Sequence, residues 1–199
     1  MNPARNDKVR ELRVPIGTSS VIVAACLMSY SRLEMQDRTE TLQIGSRAPE
    51  FLLSPLNGDG IVSLSGCLKR GVLIVEFMRG TWCPNCGKRM AQLEQIKDEI
   101  TQTGAQLVYI AAEKGDGVWN PKKFLQQHPV SFPFLLDEDR TVTKAYGLYH
   151  RLGIDAFNIA HPASIVVDHD RAIKYIYRGD SQSDRAPFEQ VLQAVKKLK

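Results

Sequence analysis

The 199-residue chain is predicted to form an α/β domain, a central mixed sheet flanked by helices. Two short apolar runs, "GVLIVEFM" (71–78) and "AQLVYIAA" (105–112), are rich in β-branched residues, as expected of strands covered on both faces. The first is followed by a segment whose apolar residues recur at helical spacing, and the second by one with helix-start signals. Towards the C-terminus, "ASIVVDHDRAIKYIYRG" (163–179) has the pattern of an antiparallel hairpin and precedes a closing amphipathic segment.

The elements follow in order. Residues 44–67, "IGSRAPEFLLSPLNGDGIVSLSGC", predict a hairpin: "EFLLS" and "IVSLS" are the arms and "NGDG" is the turn. After the strand at 71–78, a single helix is expected over 84–104, with Cys86, Met90, Leu93, Ile96 and Ile100 on one face and Gly104 as its stop. The second strand is 105–112. Asn120 as N-cap and Pro121 at the first helical position start a helix over 120–128. "FPFLLD" (132–137) predicts a short strand, and "DRTVTKAYGL" (139–148) a short helix ending at Gly147. An irregular stretch then leads to the hairpin at 163–179, which turns at 168–171, and "RAPFEQVLQAVKKLK" (185–199) is the last helix.

Composition narrows the class. Apolar and charged fractions of 43% and 24% suit a globular domain, and the net charge of +4 is spread without a stripe that would grip nucleic acid. The four cysteines are too few for a disulfide-stapled scaffold. Residues 1–40 read as an N-terminal tail before a domain over 41–199. A basic start is followed by an 11-residue apolar run (21–31), well short of the ~20 residues that span a bilayer. This segment is open to three readings: a secretory signal, a lipoprotein box at "VAAC" with Cys26 lipidated, or an upstream extension of a true start at Met28 or Met35. Cytoplasmic placement is favoured, with export or lipid anchoring if the segment is a signal.

The chemistry concentrates at "EFMRGTWCPNCGKRM" (76–90). Cys83 falls where a strand ends and a helix begins, so the unpaired amides of the first helical turn and the helix dipole face its sulfur. Both favour thiolate over thiol and lower its pKa below the ~8.5 of a free cysteine. Pro84 suits the first turn because its missing N–H would be unpaired there. Cys86, three residues on, lies on the same face about 4.5 Å along the axis, within disulfide reach. A structural disulfide is the weaker reading, because so small a loop removes little unfolded-state entropy. Zinc would need four ligands, and Cys67 and the histidines at 128, 150, 161 and 169 are dispersed. The pair reads as a redox dithiol. No glycine-rich phosphate loop is present, and neither metal nor cofactor is expected.

The run "FMRGTWCPNC" (77–86) resembles the active-site turn of the thioredoxin superfamily. With "IGSRAPEFLL", "VLIVEFMRGTWCPNC", "FPFLLDEDRTVTKAYGL" and "HPASIVVDHDRAIKYIYRGD", the chain from about residue 44 to its end resembles the peroxiredoxin-like branch of the alkyl hydroperoxide reductase/thiol-specific antioxidant family. The resemblance implies a thioredoxin-like fold with a peroxiredoxin-type N-terminal hairpin. It also implies that Pro162 is a cis-proline facing the cysteine pair and positioning substrate. Two positions depart from the family pattern. Gly80 stands where a peroxide-binding Thr or Ser is usual, with Thr81 one step away. The neighbourhood of the late strand, "IAHPAS", holds His161 and no Arg, leaving Arg79 as the substitute.

The expected site therefore comprises Cys83 and Cys86 as catalytic residues, with Pro162, Trp82, Thr81, Arg79 and His161 positioning substrate. Trp82 shields the rim, and His161 is either a proton shuttle or a surface histidine. Glu76 is either a buried base beneath the pair or, the favoured reading, a strand-end residue reaching solvent. Cys67 is expected to be a small buried residue. The expected function is that of a thiol-based antioxidant oxidoreductase: Cys83 reduces a peroxide or disulfide substrate, Cys86 resolves, and a thioredoxin or glutathione system supplies the reducing thiol. The alternatives are a thioredoxin-like reductase without peroxidase activity and a non-catalytic redox sensor. No nucleic-acid partner is expected, and homo-oligomerisation is left open.

Overall fold

The computed structural model describes residues 42–116, 119–153 and 156–198. The tail assigned to residues 1–40, with its three readings, lies outside them. The expected N-terminal hairpin forms from β1 (Leu52–Leu53) and β2 (Val62–Ser63), with Leu52 opposite Ser63. It is shorter than its alternation suggests. The Ser63 hydroxyl accepts from the Gly66 amide at 3.0 Å and caps α1 (Leu64–Leu68), a helix the sequence pattern did not announce.

At the centre lies β3 (Leu73–Met78), buried along its whole length. It pairs in parallel with β4 (Gln106–Ala111), which pairs in parallel with β5 (Phe134–Leu136). On its other side β8 (Ala163–Val167) runs antiparallel to it, and β9 (Ile173–Arg178) antiparallel to β8. The order β5-β4-β3-β8-β9 is the expected mixed sheet. Its two faces are filled by alternate β3 residues. Ile74 and Met78 join one core with Met90, Leu93, Val191 and Val195. Leu73, Val75 and Phe77 join the other with Leu64, Phe51, Val142 and Tyr146.

The expected single helix over 84–104 is two helices, α2 (Pro84–Gln95) and α3 (Lys97–Gln102). They meet at Ile96, whose backbone leaves the helical region at φ −105°, ψ 15°, and the bend keeps Leu93 and Ile100 buried on either side of it. Asn120 caps α4 (Pro121–Gln127) through a 3.0 Å bond from the Lys123 amide. α5 (Thr141–Ala145) ends near Gly147 at φ +67°, a left-handed position that suits glycine. The stretch expected to be irregular contains a second hairpin, β6 (Tyr149–Leu152) and β7 (Phe157–Ala160), with Tyr149 opposite Ala160. It carries none of the two-residue turn dipeptides that make hairpins legible. The last helix, α6 (Phe188–Lys196), packs Val191, Leu192 and Val195 over β8 and β9. Each such burial stabilises the fold by roughly 1.5–3 kcal/mol.

This topology builds the site. The parallel strands β3 and β4 deliver their C-terminal ends to one edge. Phe77 is in register with Ala163, so residues just before β8 lie across from the end of β3. Ligands in open α/β sheets bind beyond such strand ends.

Candidate active site

Cys83 is the N-cap of α2, with extended backbone (φ −86°, ψ 113°) and no side-chain cap bond to divert its sulfur. Its carbonyl accepts from the Cys86 and Gly87 amides at 3.0 and 3.2 Å, which fixes the first turn. Both cysteines are free and only 1% exposed. The hydrogen bond from the Cys86 thiol is the main influence that brings the Cys83 pKa down to about 5; burial opposes it, and the Cys86 amide, Arg79 and Arg185 reinforce it. Cys86 moves the other way, its proton held by the bond to Cys83 and by burial. One sulfur is thus the thiolate and the other its donor.

Arg79 is not a surface residue. It is 4% exposed, its Nη1 lies 4.0 Å from Cys83 Sγ and donates to Gln182 Oε1 at 3.0 Å, and its guanidinium sits 4.9 Å from the Trp82 ring centroid. Trp82, half-buried, forms part of the rim. Gly80 makes that packing work: at φ +156° it lies against the indole, and a Cβ there would meet Trp82 Nε1 at 2.2 Å. The Thr or Ser usual at this position in the related family has no room. Thr81 does not offer its hydroxyl to the sulfur either. Its amide and hydroxyl donate to Glu113 Oε1 and Oε2 at 2.7 and 3.0 Å.

Glu76 corrects the solvent-facing reading. It is 1% exposed and receives Arg89 Nε at 2.7 Å on one oxygen and the Ser164 hydroxyl at 2.7 Å on the other. Arg89 continues to the Ala186 carbonyl at 2.9 Å and lies 3.9 Å from the Phe188 ring centroid. The carboxylate is buried, but its partner is an arginine on α2 and not a thiol.

Pro162 and His161 line a cleft of about 280 Å³ together with Arg79, His150 and Gln182. Arg79 joins that cleft to Cys83. No peptide bond among the described residues is cis, so the cis geometry expected at Pro162 is corrected. The Pro162 carbonyl instead accepts from Gly179 at 2.7 Å, tying the start of β8 to the end of β9 in the trans form that is the default for X–Pro. His161 stacks on His150 with centroids 4.5 Å apart, and burial, Arg178 and His150 together lower its pKa to about 4. It is therefore neutral near pH 7 and lends no positive charge to the site there.

Three contributors escaped the sequence reading. Glu113 is buried, and desolvation raises its pKa. It borders a second cleft of about 430 Å³ with Trp82, Trp119, Arg140, Phe157 and Ile159. Its position just past the end of β4, beside β3, was the available signal. Gln182 and Arg185 come from the loop before α6, about a hundred residues from the cysteines, and nothing local marks them. Arg185 Nη2 lies 3.5 Å from Cys86 Sγ. Ile159 lines both clefts, one bordered by Trp82 and the other by Arg79.

Known proteins resemble this chain in sequence and in fold. The Redoxin family profile matches residues 43–192. The thiol-disulfide oxidoreductase ResA of Bacillus subtilis is 30% identical over 138 residues, covering 69% of this chain and 74% of that protein. ResA of Bacillus thuringiensis subsp. konkukian is 26% identical over 148 residues, covering 74% and 77%. Among solved structures, Peroxidoxin BcpB from Mycobacterium tuberculosis has a TM-score of 0.68 at 22% identity, over 79% of this chain and 99% of that one. A putative thiol:disulfide interchange protein DsbE from Chlorobium tepidum has 0.61 at 24%, over 78% and 99%. A mixed sheet shared with both, a dithiol at a helix start and a profile spanning most of the domain lead to one conclusion: the chain belongs to the Redoxin family, within the thioredoxin superfamily, and is a thiol-dependent oxidoreductase.

Proposed function

We propose that the protein catalyses thiol–disulfide exchange, with Cys83 as the attacking thiolate and Cys86 as the resolving thiol. The single observation that carries this reading is the position of Cys83 Sγ at the start of α2, where the Cys86 thiol and amide and the Arg79 guanidinium bring its pKa down to about 5. At neutral pH the nucleophile is already ionised. It attacks one sulfur of a substrate disulfide, releasing the first substrate thiolate and forming a mixed disulfide. Cys86 then loses its proton and attacks Cys83 Sγ. The second substrate thiolate leaves and takes up a proton, the substrate is reduced by two electrons, and the enzyme holds a Cys83–Cys86 disulfide. A thiol reductant, from a thioredoxin or glutathione system, restores the dithiol. Pro162, Arg79 and His161 line one cleft, which Arg79 joins to Cys83, Trp82 lines the other, and Thr81 acts by fixing the turn through Glu113.

A second reading, peroxide reduction through a Cys83 sulfenic acid, is favoured by one observation, the guanidinium of Arg79 beside the sulfur. Against it stand the crowding at Gly80 and the engagement of the Thr81 hydroxyl by Glu113. Stopped-flow mixing of the reduced protein with a protein disulfide and, separately, with hydrogen peroxide discriminates between them. Exchange predicts fast Cys83-dependent reduction of the disulfide and slow reaction with peroxide; the reverse order would make the protein a peroxidase. Cys83→Ser abolishes turnover, and Cys86→Ser accumulates a mixed disulfide seen as the substrate's mass added to the intact protein. If Cys86→Ser turned over at the parent rate, the resolving role would be lost.

A further inference from the structure

The resolving step needs Cys86 as a thiolate, yet its sulfur is buried and the carboxylate of the preceding strand, Glu76, is unavailable as a base. Both Glu76 oxygens are occupied, by Arg89 at 2.7 Å and by Ser164 at 2.7 Å. A different charge stands at Cys86. Arg185 Nη2 lies 3.5 Å from the sulfur, and its Nη1 donates to the Asp184 carbonyl at 2.8 Å. The loop that carries it is held at several points. Asp184 accepts from the Tyr177 hydroxyl at 2.5 Å and from the Asp180 amide at 3.0 Å, and the carbonyl of Ala186 accepts from Arg89 at 2.9 Å. The Glu76–Arg89 pair thus secures the residue next to Arg185 and does not serve the thiol.

We propose that Arg185 is a positioning residue for the second half of the exchange, holding Cys86 Sγ as an anion and aimed by the Glu76–Arg89–Ala186 chain. This rests on the reading of Cys83 and Cys86 as attacking and resolving thiols. Formation of the mixed disulfide changes the surroundings of Cys86. The Cys83 sulfur, now bonded, no longer carries the charge that held the Cys86 proton; the remaining influences are burial, which opposes ionisation, and Arg185 with the Arg79 amide, which favour it. Cys86 thiolate then attacks Cys83 Sγ, the Cys83–substrate bond breaks, and the proton lost from Cys86 ends on the departing substrate thiolate. Arg185 takes no proton in this step; its guanidinium stays charged throughout.

The test uses the full chain and dithiodipyridine, an uncharged aromatic disulfide whose thione absorbs on release. The first release reports attack by Cys83, and the second, identified as the phase lost in Cys86→Ala, reports resolution. In Arg185→Ala the ratio of the second rate to the first falls about tenfold at pH 7, the scale of a lost charge-assisted hydrogen bond. The pH midpoint of the second phase also moves up. The groups facing Cys86 Sγ in that titration are Cys83 and the Arg79 amide from the turn before α2, and Arg185 from the loop before α6. Arg185→Lys, which keeps the charge, recovers part of the rate and of the midpoint. An unchanged ratio in Arg185→Ala overturns the proposal. So does slowing of both phases alike in Ala and Lys with an unmoved midpoint, which is what a merely structural role gives. Absence of the first phase in the parent protein would instead remove the assignment of Cys83, and this inference with it.

Discussion

Around Cys83 the Cys86 sulfur and two guanidiniums act on the thiol proposed as the nucleophile, and the order of their effects is testable. The Cys86 thiol is the largest influence lowering the Cys83 pKa to about 5, ahead of its own amide and of Arg79. The rate of Cys83 alkylation by iodoacetamide should therefore be nearly flat from pH 7 to 9 and fall with a midpoint near 5. In Cys86→Ala the midpoint rises further than in Arg79→Ala. The opposite order would mean that the guanidinium, not the dithiol bond, makes the nucleophile. His161 should contribute no step between pH 5 and 8, because it is already neutral there; a step near 6.5 lost in His161→Asn would mean that it titrates as an ordinary histidine. The cysteine pair was legible in the sequence because everything that activates it in the first instance, strand end, helix start and three-residue spacing, is local. Arg185 and Gln182 were not, because only the fold brings residues so far along the chain to the same sulfurs. Glu76 was visible but misplaced: a lone acid in an apolar strand reads as a strand end until its partner on α2 is seen.

Among the elements, the joint between β3, α2 and β8 depends on that same acid. Glu76 on β3, Arg89 on α2 and Ser164 on β8 form one buried hydrogen-bonded group that also reaches Ala186 before α6. A buried pair is costly to break on one side, because the survivor is left charged and unpaired. Glu76→Leu or Arg89→Met alone should each destabilise the fold by roughly 3–5 kcal/mol in urea denaturation. The double substitution should recover much of that, though not the partners lost by Ser164 and Ala186. If the double variant were as unstable as the sum of the singles, the pair would not be the unit that matters. The long buried strands and the capped helix at Asn120 were legible, because periodicity and cap chemistry are strong there. The break at Ile96 was hidden, since apolar spacing continues across it, as was the β6–β7 hairpin, whose connection lacks Gly-rich turn dipeptides. That hairpin matters to the site: Ile159 on β7 lines both clefts, one bordered by Trp82 and the other by Arg79.

For the molecule as a whole, the mixed sheet followed from local runs, whereas the register that sets Pro162 across from the end of β3 came from pairing between distant strands. The fold also couples redox state to stability. In the reduced protein the folded-state pKa of Cys83 is about 5, while in the unfolded chain it is that of an ordinary cysteine near 8.5. A depressed pKa contributes stability that is present in full above the unfolded value and is lost as pH falls through the folded one. Between pH 8 and 5 the reduced protein should therefore lose stability relative to the oxidised protein, by at most about 1.4 kcal/mol per pH unit, because the disulfide form has no thiolate to protonate. The melting temperature of the reduced form minus that of the oxidised form should rise steadily from pH 5 to pH 8. Stabilising the reduced state also makes the disulfide a better oxidant, so its potential should lie above the roughly −270 mV of thioredoxin when equilibrated with glutathione at pH 7. A potential at or below that value, with a melting difference flat across the same pH range, would mean that the Cys83 thiolate is not held by the fold as its surroundings indicate.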